Sequence, residues 1–274
     1  MKLHISNYLV LISTAILLFS CNGNKDNSVK NETIIKDSML TYKNDSTSMN
    51  GFVAYDAATD KKRPVVLVVH EWWGLNDYAK SRARQLAALG YLAMAVDMYG
   101  DGKTADNPEA AGAMAMPFYL HPDMAKNRFM AALDMIKTWP QADTTQIAAI
   151  GYCFGGAQVL NMARMGVGLK GVVSFHGNLA GVPVDKNLFK SQVLVCHGDS
   201  DKFVLPGEVA HFKKEMDSLS LPYTFKSYPG ASHAFSNPNS TATGKKFSLP
   251  IAYNAAADTA SWNDMKAFFG KLFH

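Results

Sequence analysis

The chain has 274 residues, of which 48% are hydrophobic and 18% charged, with a formal net charge of +4. One sizeable core is feasible at that length, and a single α/β domain is the ordinary outcome. The charge is small and no Lys/Arg block stands out, so nothing in the composition points to a nucleic-acid partner.

Lys2 is followed by an apolar run over 9–19, too short for a convincing spanning helix. Leu18-Phe19-Ser20-Cys21 resembles a bacterial lipobox, with a small residue ahead of the cysteine. The resemblance implies a lipoprotein signal peptide over 1–20 and lipidation of Cys21. It also implies a membrane anchor that holds the chain on the bacterial cell envelope, facing the periplasm or the surface. An ordinary secretory peptide with an incidental Cys21 is the alternative. Residues 22–31 are polar and free of aromatics, so 21–32 reads as a flexible tether ahead of a folded domain over 33–274.

Segments 33–43 and 49–57 alternate polar and apolar side chains around a Ser/Asn/Asp cluster, the pattern of an antiparallel hairpin. Residues 64–69 form a continuous, mostly β-branched run, suited to a strand buried on both faces of a parallel sheet. Helical spacing follows over 76–88, closed by Gly90. The alternation repeats: strand 91–96, helix 123–139, strand 146–152, helix 155–165, strands 171–175 and 192–196, helix 208–219, strand 223–228 and helix 255–272. Residues 98–120, rich in Gly, Ala, Met and Pro, read as a loop or short helix over the C-terminal sheet edge, where such folds bind ligands. The expected fold is α/β: a mostly parallel sheet of about eight strands with helices on both faces.

Cys153 lies in Gly151-Tyr152-Cys153-Phe154-Gly155-Gly156, directly after a buried strand and before a small-residue helix. A buried cysteine is ordinarily inert packing. A sharp strand-to-helix turn flanked by glycines instead lifts a nucleophile above the sheet edge. In enzymes with this turn, an acid and a histidine follow the nucleophile in that chain order. Asp201 follows strand 192–196 and His233 follows strand 223–228, both at C-terminal strand ends. Asp199 competes with Asp201, which lies further past the strand and is better placed to fold back toward His233. The roles that follow are Cys153 as thiolate nucleophile, His233 as proton carrier and Asp201 as the orienting acid.

His70-Glu71-Trp72-Trp73-Gly74 ends strand 64–69. In this architecture that loop gives one oxyanion-hole amide and the residue after the nucleophile gives the other, which assigns the backbone N–H groups of Trp72 and Phe154. His70-Glu71 also begins a metalloprotease pattern, but position 74 is Gly where a second histidine is required. No other cluster has metal spacing, so neither a metal nor a cofactor is expected. Cys196 reads as a small buried hydrophobe. One strand between its own and that of Cys153 would put the backbones roughly 10 Å apart, beyond the roughly 7 Å reach of a disulfide.

These motifs, with Asp97-Met98-Tyr99-Gly100, the loop 198–201 and Ser232-His233-Ala234-Phe235, resemble those of the dienelactone hydrolase family of α/β-hydrolases over about 51–273. The resemblance implies that Glu71 contacts the resting thiol and gates its ionisation. It also implies a substrate carboxylate held by two arginines, and here both are absent. Residues 100–124 contain no arginine, with Met114 near one expected place, and Asn237 stands at the other. Lys103, Lys126 and Arg128 are the remaining cationic candidates. Trp72, Trp73, Met114, Met116, Phe118 and Tyr119 suggest an apolar pocket, with Trp73, Met114, Phe118 and Asn237 as its expected walls.

The expectation is a monomeric, cysteine-dependent hydrolase that cleaves a small ester or lactone through an acyl-enzyme, with dienelactone itself disfavoured. A peptidase or acyltransferase of the same superfamily would need a recognition domain or acceptor site that the sequence does not display. A lipid-anchored binding protein on an inactive hydrolase fold is the other competitor, although decay of that kind usually loses a member of the triad.

Overall fold

The computed structural model describes residues 33–273, so the signal segment, Cys21 and the tether lie outside it. In chain order the elements are β1 (Ile35–Asn44), β2 (Thr47–Asp56), β3 (Arg63–Val69), α1 (Asp77–Ala88), β4 (Leu92–Val96), α2 (Pro108–Leu120), α3 (Pro122–Lys137) and β5 (Ala142–Tyr152). They continue with α4 (Phe154–Arg164), β6 (Gly171–Phe175), β7 (Gln192–Gly198), α5 (Pro206–Ser218), β8 (Tyr223–Tyr228), α6 (Ser240–Phe247) and α7 (Ala255–Leu272).

One eight-stranded sheet runs in the order β1-β2-β4-β3-β5-β6-β7-β8. β1 and β2 form the expected hairpin, and β2 joins β4 antiparallel. From β4 across to β8 every pairing is parallel. The central strand β3 shows why its sequence is apolar throughout. Val65, Leu67 and Val69 enter a core with Phe129 and Phe154 on one face, while Val66 and Val68 enter a second core with Leu86 and Phe269 on the other. All five β3 residues are fully buried. A strand sealed on both faces has no polar alternation to display.

Caps fix where several helices begin. The Asn76 side chain accepts from the amides of Tyr78 and Ala79 at the start of α1, and Asn254 accepts from Ala257 at the start of α7. The segment 98–120, expected as a loop or short helix, is more regular than that. It carries a 13-residue helix, α2, whose N-cap Asn107 accepts from Ala110, with Pro108 in the first turn. α6 is likewise a helix that the sequence pattern does not announce.

β6 lies between β5, which Cys153 follows, and β7, which holds Cys196, and both cysteines are free thiols. Cys196 is fully buried and receives the Tyr228 hydroxyl at 3.4 Å. The C-terminal ends of β3, β5, β6, β7 and β8 open on one edge of the sheet, which is where the motifs converge.

Candidate active site

The turn at Cys153 begins from its backbone. Cys153 has φ 53° and ψ −116°, in a region that side chains with a Cβ rarely adopt. Such a residue costs on the order of 1–3 kcal/mol, and its surroundings must impose it. Two glycines make the imposition possible. A Cβ on Gly151 would fall on the Gly155 carbonyl, and one on Gly155 would fall on the Val69 carbonyl. The Gly155 amide then donates to His70 O at 3.1 Å, tying α4 to the end of β3. Cys153 is left half-buried at the N-cap of α4.

Asp201 and His233 are brought together across the loops after β7 and β8. His233 Nδ1 donates to Asp201 Oδ2 at 2.8 Å, and both side chains are buried. Asp201 Oδ1 accepts from the amides of Phe203 at 2.7 Å and Val204 at 3.2 Å. Burial pushes this carboxyl upward, but the hydrogen bond and charge of His233, with those two amides, hold it below its usual range. Asp199 goes elsewhere, accepting from Gly230 N at 2.7 Å. Burial disfavours the His233 cation. The charge of Cys153, hydrogen bonds to Asp201 and Cys153, and the charge of Asp201 outweigh it and raise the imidazole to about 10. The arrangement therefore favours a proton on His233.

The loop after β3 is pinned from several sides. His70 Nδ1 lies 2.6 Å from Glu71 O, and its Nε2 accepts from Met98 N at 3.3 Å. Burial lowers His70 to about 4 against the Glu71 carbonyl bond and the charge of Asp97, so the ring is neutral and Nδ1 is the donor. Tyr99 Oη donates to Trp72 O at 2.9 Å. The Trp72 and Phe154 amides donate to no protein acceptor among the described residues.

A cavity of about 240 Å³ opens over Cys153 and His233. Glu71, Trp72 and Trp73 line it from the loop after β3, and Gly112, Ala115, Met116 and Tyr119 from α2. Asn178, Phe203 and Ala234 follow β6, β7 and β8, while Leu249 and Ile251 follow α6. Three of the expected walls are displaced. Phe118 is buried in the core against Phe154, and Met114 packs partly against that core. Residues 112, 115, 116 and 119 share the cavity-facing side of α2, and neither Met114 nor Phe118 lies on it. Asn237 is the third: it is buried outside the wall, and its Nδ2 donates to Glu71 Oε2 at 2.7 Å.

That bond also alters the expectation for Glu71. Its carboxylate is held by Asn237, and no hydrogen bond joins it to Cys153 among the described residues. Burial raises Glu71 to about 7, against the Asn237 bond and the positive charges of His233 and Arg82. No arginine or lysine lines the cavity among the described residues. Lys103 pairs with Asp101, Lys126 reaches Met165 O, and Arg128 reaches Thr47 and Met49. No group of three or more His, Cys, Asp or Glu able to hold a metal occurs among the described residues. The sequence reading missed Asn178, Phe203, Ala234, Leu249 and Ile251. The first three were findable as loop residues at C-terminal strand ends.

The sequence model of the dienelactone hydrolase family matches residues 49–273. A protein of Aquifex pyrophilus named usf is 28% identical, covering 84% of this chain and 96% of its own. A protein of Aquifex aeolicus, provisionally named a carboxymethylenebutenolidase, is 27% identical over 73% of this chain and 87% of its own. Among solved structures, a dienelactone hydrolase-like promiscuous phosphotriesterase from metagenomic libraries is 33% identical. It superposes with a TM-score of 0.81, covering 88% of this chain and 99% of that one.

The His233 pKa of about 10 depends on the sulfur beside it. A group raised from 6.5 supports the fold fully below that value and loses its contribution as pH climbs toward 10. Cys153→Ala removes both the charge and the hydrogen bond of the thiol. We expect the His233 ring to titrate clearly lower in that variant than in the wild type, as followed by imidazole NMR. An unchanged titration would show that thiol and ring do not interact.

Proposed function

The chain belongs to the dienelactone hydrolase family, and on that premise we propose that it cleaves small, neutral carboxylic esters or lactones through an acyl-enzyme on Cys153. The observation that carries the reading is the buried His233–Asp201 pair at 2.8 Å, whose His233 lines the same apolar cavity as Cys153. In the proposed cycle, Sγ attacks the acyl carbon. The Trp72 and Phe154 amides receive the developing oxyanion, worth about 3–4 kcal/mol of barrier per well-placed donor. His233 passes its proton to the leaving alkoxide. It then takes a proton from water, which attacks the thioester and frees the thiolate.

The substrate class follows from the walls. A carboxylate-bearing substrate would meet no arginine or lysine among the described lining residues, and one acid, Glu71. A neutral ester meets tryptophan, methionine, phenylalanine and aliphatic surface. Met116, Tyr119 and Phe203 also stay exposed at the mouth, where an apolar chain could extend. The same neutrality favours a second reading, turnover of neutral phosphotriesters, the class named for the 33%-identical structural relative. The acyltransferase and binding-protein readings have less support. All three groups of the proposed triad sit at one edge of the sheet, which disfavours an inactive fold.

We also propose that Cys21 carries a lipid anchor and that residues 21–32 tether the domain over 33–274 to an envelope membrane. Cys21→Ala is expected to appear in the soluble fraction with unchanged turnover per molecule. Retention of the processed variant on membranes would contradict the anchor.

Cys153→Ala should stay folded and lose p-nitrophenyl acetate hydrolysis by about a thousandfold or more, the scale seen when a covalent nucleophile is removed. Turnover that survives this change, or survives iodoacetamide, would rule out the cysteine mechanism. Charge discrimination gives a separate check. Glu71 becomes anionic as pH rises through about 7, so preference for a neutral ester over a dicarboxylate monoester should strengthen above that pH. Glu71→Gln should flatten that pH dependence. A preference independent of both pH and Glu71 would remove this residue from substrate selection.

A further inference from the structure

His176, at the end of β6, belongs to no motif so far discussed, yet it is 1% exposed and touches the nucleophile's backbone. The Cys153 amide lies 3.0 Å from Phe175 O and 3.1 Å from His176 Nδ1. An amide can only donate, so Nδ1 is the bare nitrogen and Nε2 carries the hydrogen. Nε2 lies 2.8 Å from Ser236 Oγ and therefore donates to it. Ser236 Oγ is in turn 2.7 Å from Tyr78 Oη. Arg82 closes the chain: its Nε donates to Tyr78 Oη at 3.4 Å, an Nη donates to Ser236 O at 2.6 Å, and Asp258 pairs with it.

Ser236 stands three residues after His233, on the same loop. A single buried hydrogen-bonded chain thus links the backbone of the nucleophile to the loop that carries its base. We propose that His176 is a positioning residue: its neutral ring holds the Cys153 amide on one side and the His233 loop, through Ser236, on the other. The proposal rests on the cysteine-hydrolase reading above and extends it. Both backbones at this junction are in the left-handed region, Cys153 at φ 53° and His176 at φ 42°. A strained turn of this kind persists only where its neighbours over-determine it.

The surroundings keep the ring uncharged. His233 packs edge-on at 5.2 Å between centroids, with Phe235 at 5.2 Å and Tyr152 at 6.0 Å. Burial, then the positive charge of His233, press His176 well below its ordinary range. Two adjacent histidines therefore divide the work, one raised to carry the proton and one lowered to stay an acceptor. A protonated His176 would lose its bond to the Cys153 amide and place a second cation beside His233.

The test compares two replacements. His176→Asn keeps an acceptor at the position of Nδ1, and Asn tolerates left-handed backbone. His176→Phe keeps volume and removes both hydrogen bonds. With ester as probe, the Phe variant is expected to lose about 100-fold in kcat with KM nearly unchanged, the effect of a misplacement near 1 Å. Its Cys153 should also react more slowly with iodoacetamide, with a shifted pH profile. The Asn variant should stay within about tenfold of wild type in both readouts. Should the Phe variant not fold, Ser236→Ala, which like His176→Asn loses only the Nε2 bond, should lower kcat and the alkylation rate together by a measurable factor of up to about tenfold. Folded variants with wild-type kcat, or an Asn variant as impaired as the Phe variant, would overturn the proposal. Cys153→Ala separates the two claims. If that variant is inactive while the His176 and Ser236 variants are unaffected, the inference fails and the hydrolase reading stands.

Discussion

The backbone of Cys153 is held where a residue with a side chain does not go by preference, and the site depends on that constraint. Relaxed into the β or α region, the sulfur would lie along the sheet or against the helix. Held at φ 53°, it stands at the cavity floor. The constraint is met by the closeness of β3, β5 and α4, which only glycine at 151 and 155 permits. It is met again by acceptors beyond the turn, Phe175 O and His176 Nδ1. Folding energy from two fully buried cores is thereby converted into the position of one atom. That is the preorganisation that makes a later barrier small.

Electrostatics then distinguish groups that sequence alone treats alike. Three histidines lie within or beside the site. Burial silences His70 and His176, whereas Asp201 and Cys153 reverse the effect of burial for His233. Two aspartates lie on the loop after β7, and only Asp201 is aimed at the imidazole, because two amides grip its other oxygen. Glu71 is kept from full ionisation by burial and from swinging by Asn237. In each case the partner, more than the residue type, decides the behaviour.

Much of this was legible in the sequence, for identifiable reasons. β3 announced itself by an unbroken apolar run, and the Cys153 turn by its glycines. The order Cys153, Asp201, His233 matched strand ends that the β/α alternation had already placed. α2 was not legible as a long helix. Its core face and its cavity face are both apolar, so no amphipathic contrast marks the period, and Pro117 interrupts it. The walls assigned to Met114 and Phe118 failed for that reason, since a helical phase is needed to choose between neighbours. α6 is built from Ser, Thr, Gly and Lys, weak signals that tertiary contacts override. The partnerships of Asn237 with Glu71 and of His176 with Cys153 join residues 166 and 23 positions apart. No local pattern encodes such pairs.

The central claim is that an acyl group passes through the sulfur of Cys153. Intact-protein and peptide mass spectrometry of enzyme acid-quenched during turnover of a slowly deacylating ester tests it most directly. The account predicts a protein heavier by one acyl group, with the added mass on the peptide containing Cys153 and absent after iodoacetamide pretreatment. An acyl group found on another residue, or robust turnover with no covalent species at any quench time under conditions where deacylation is slow, would contradict it.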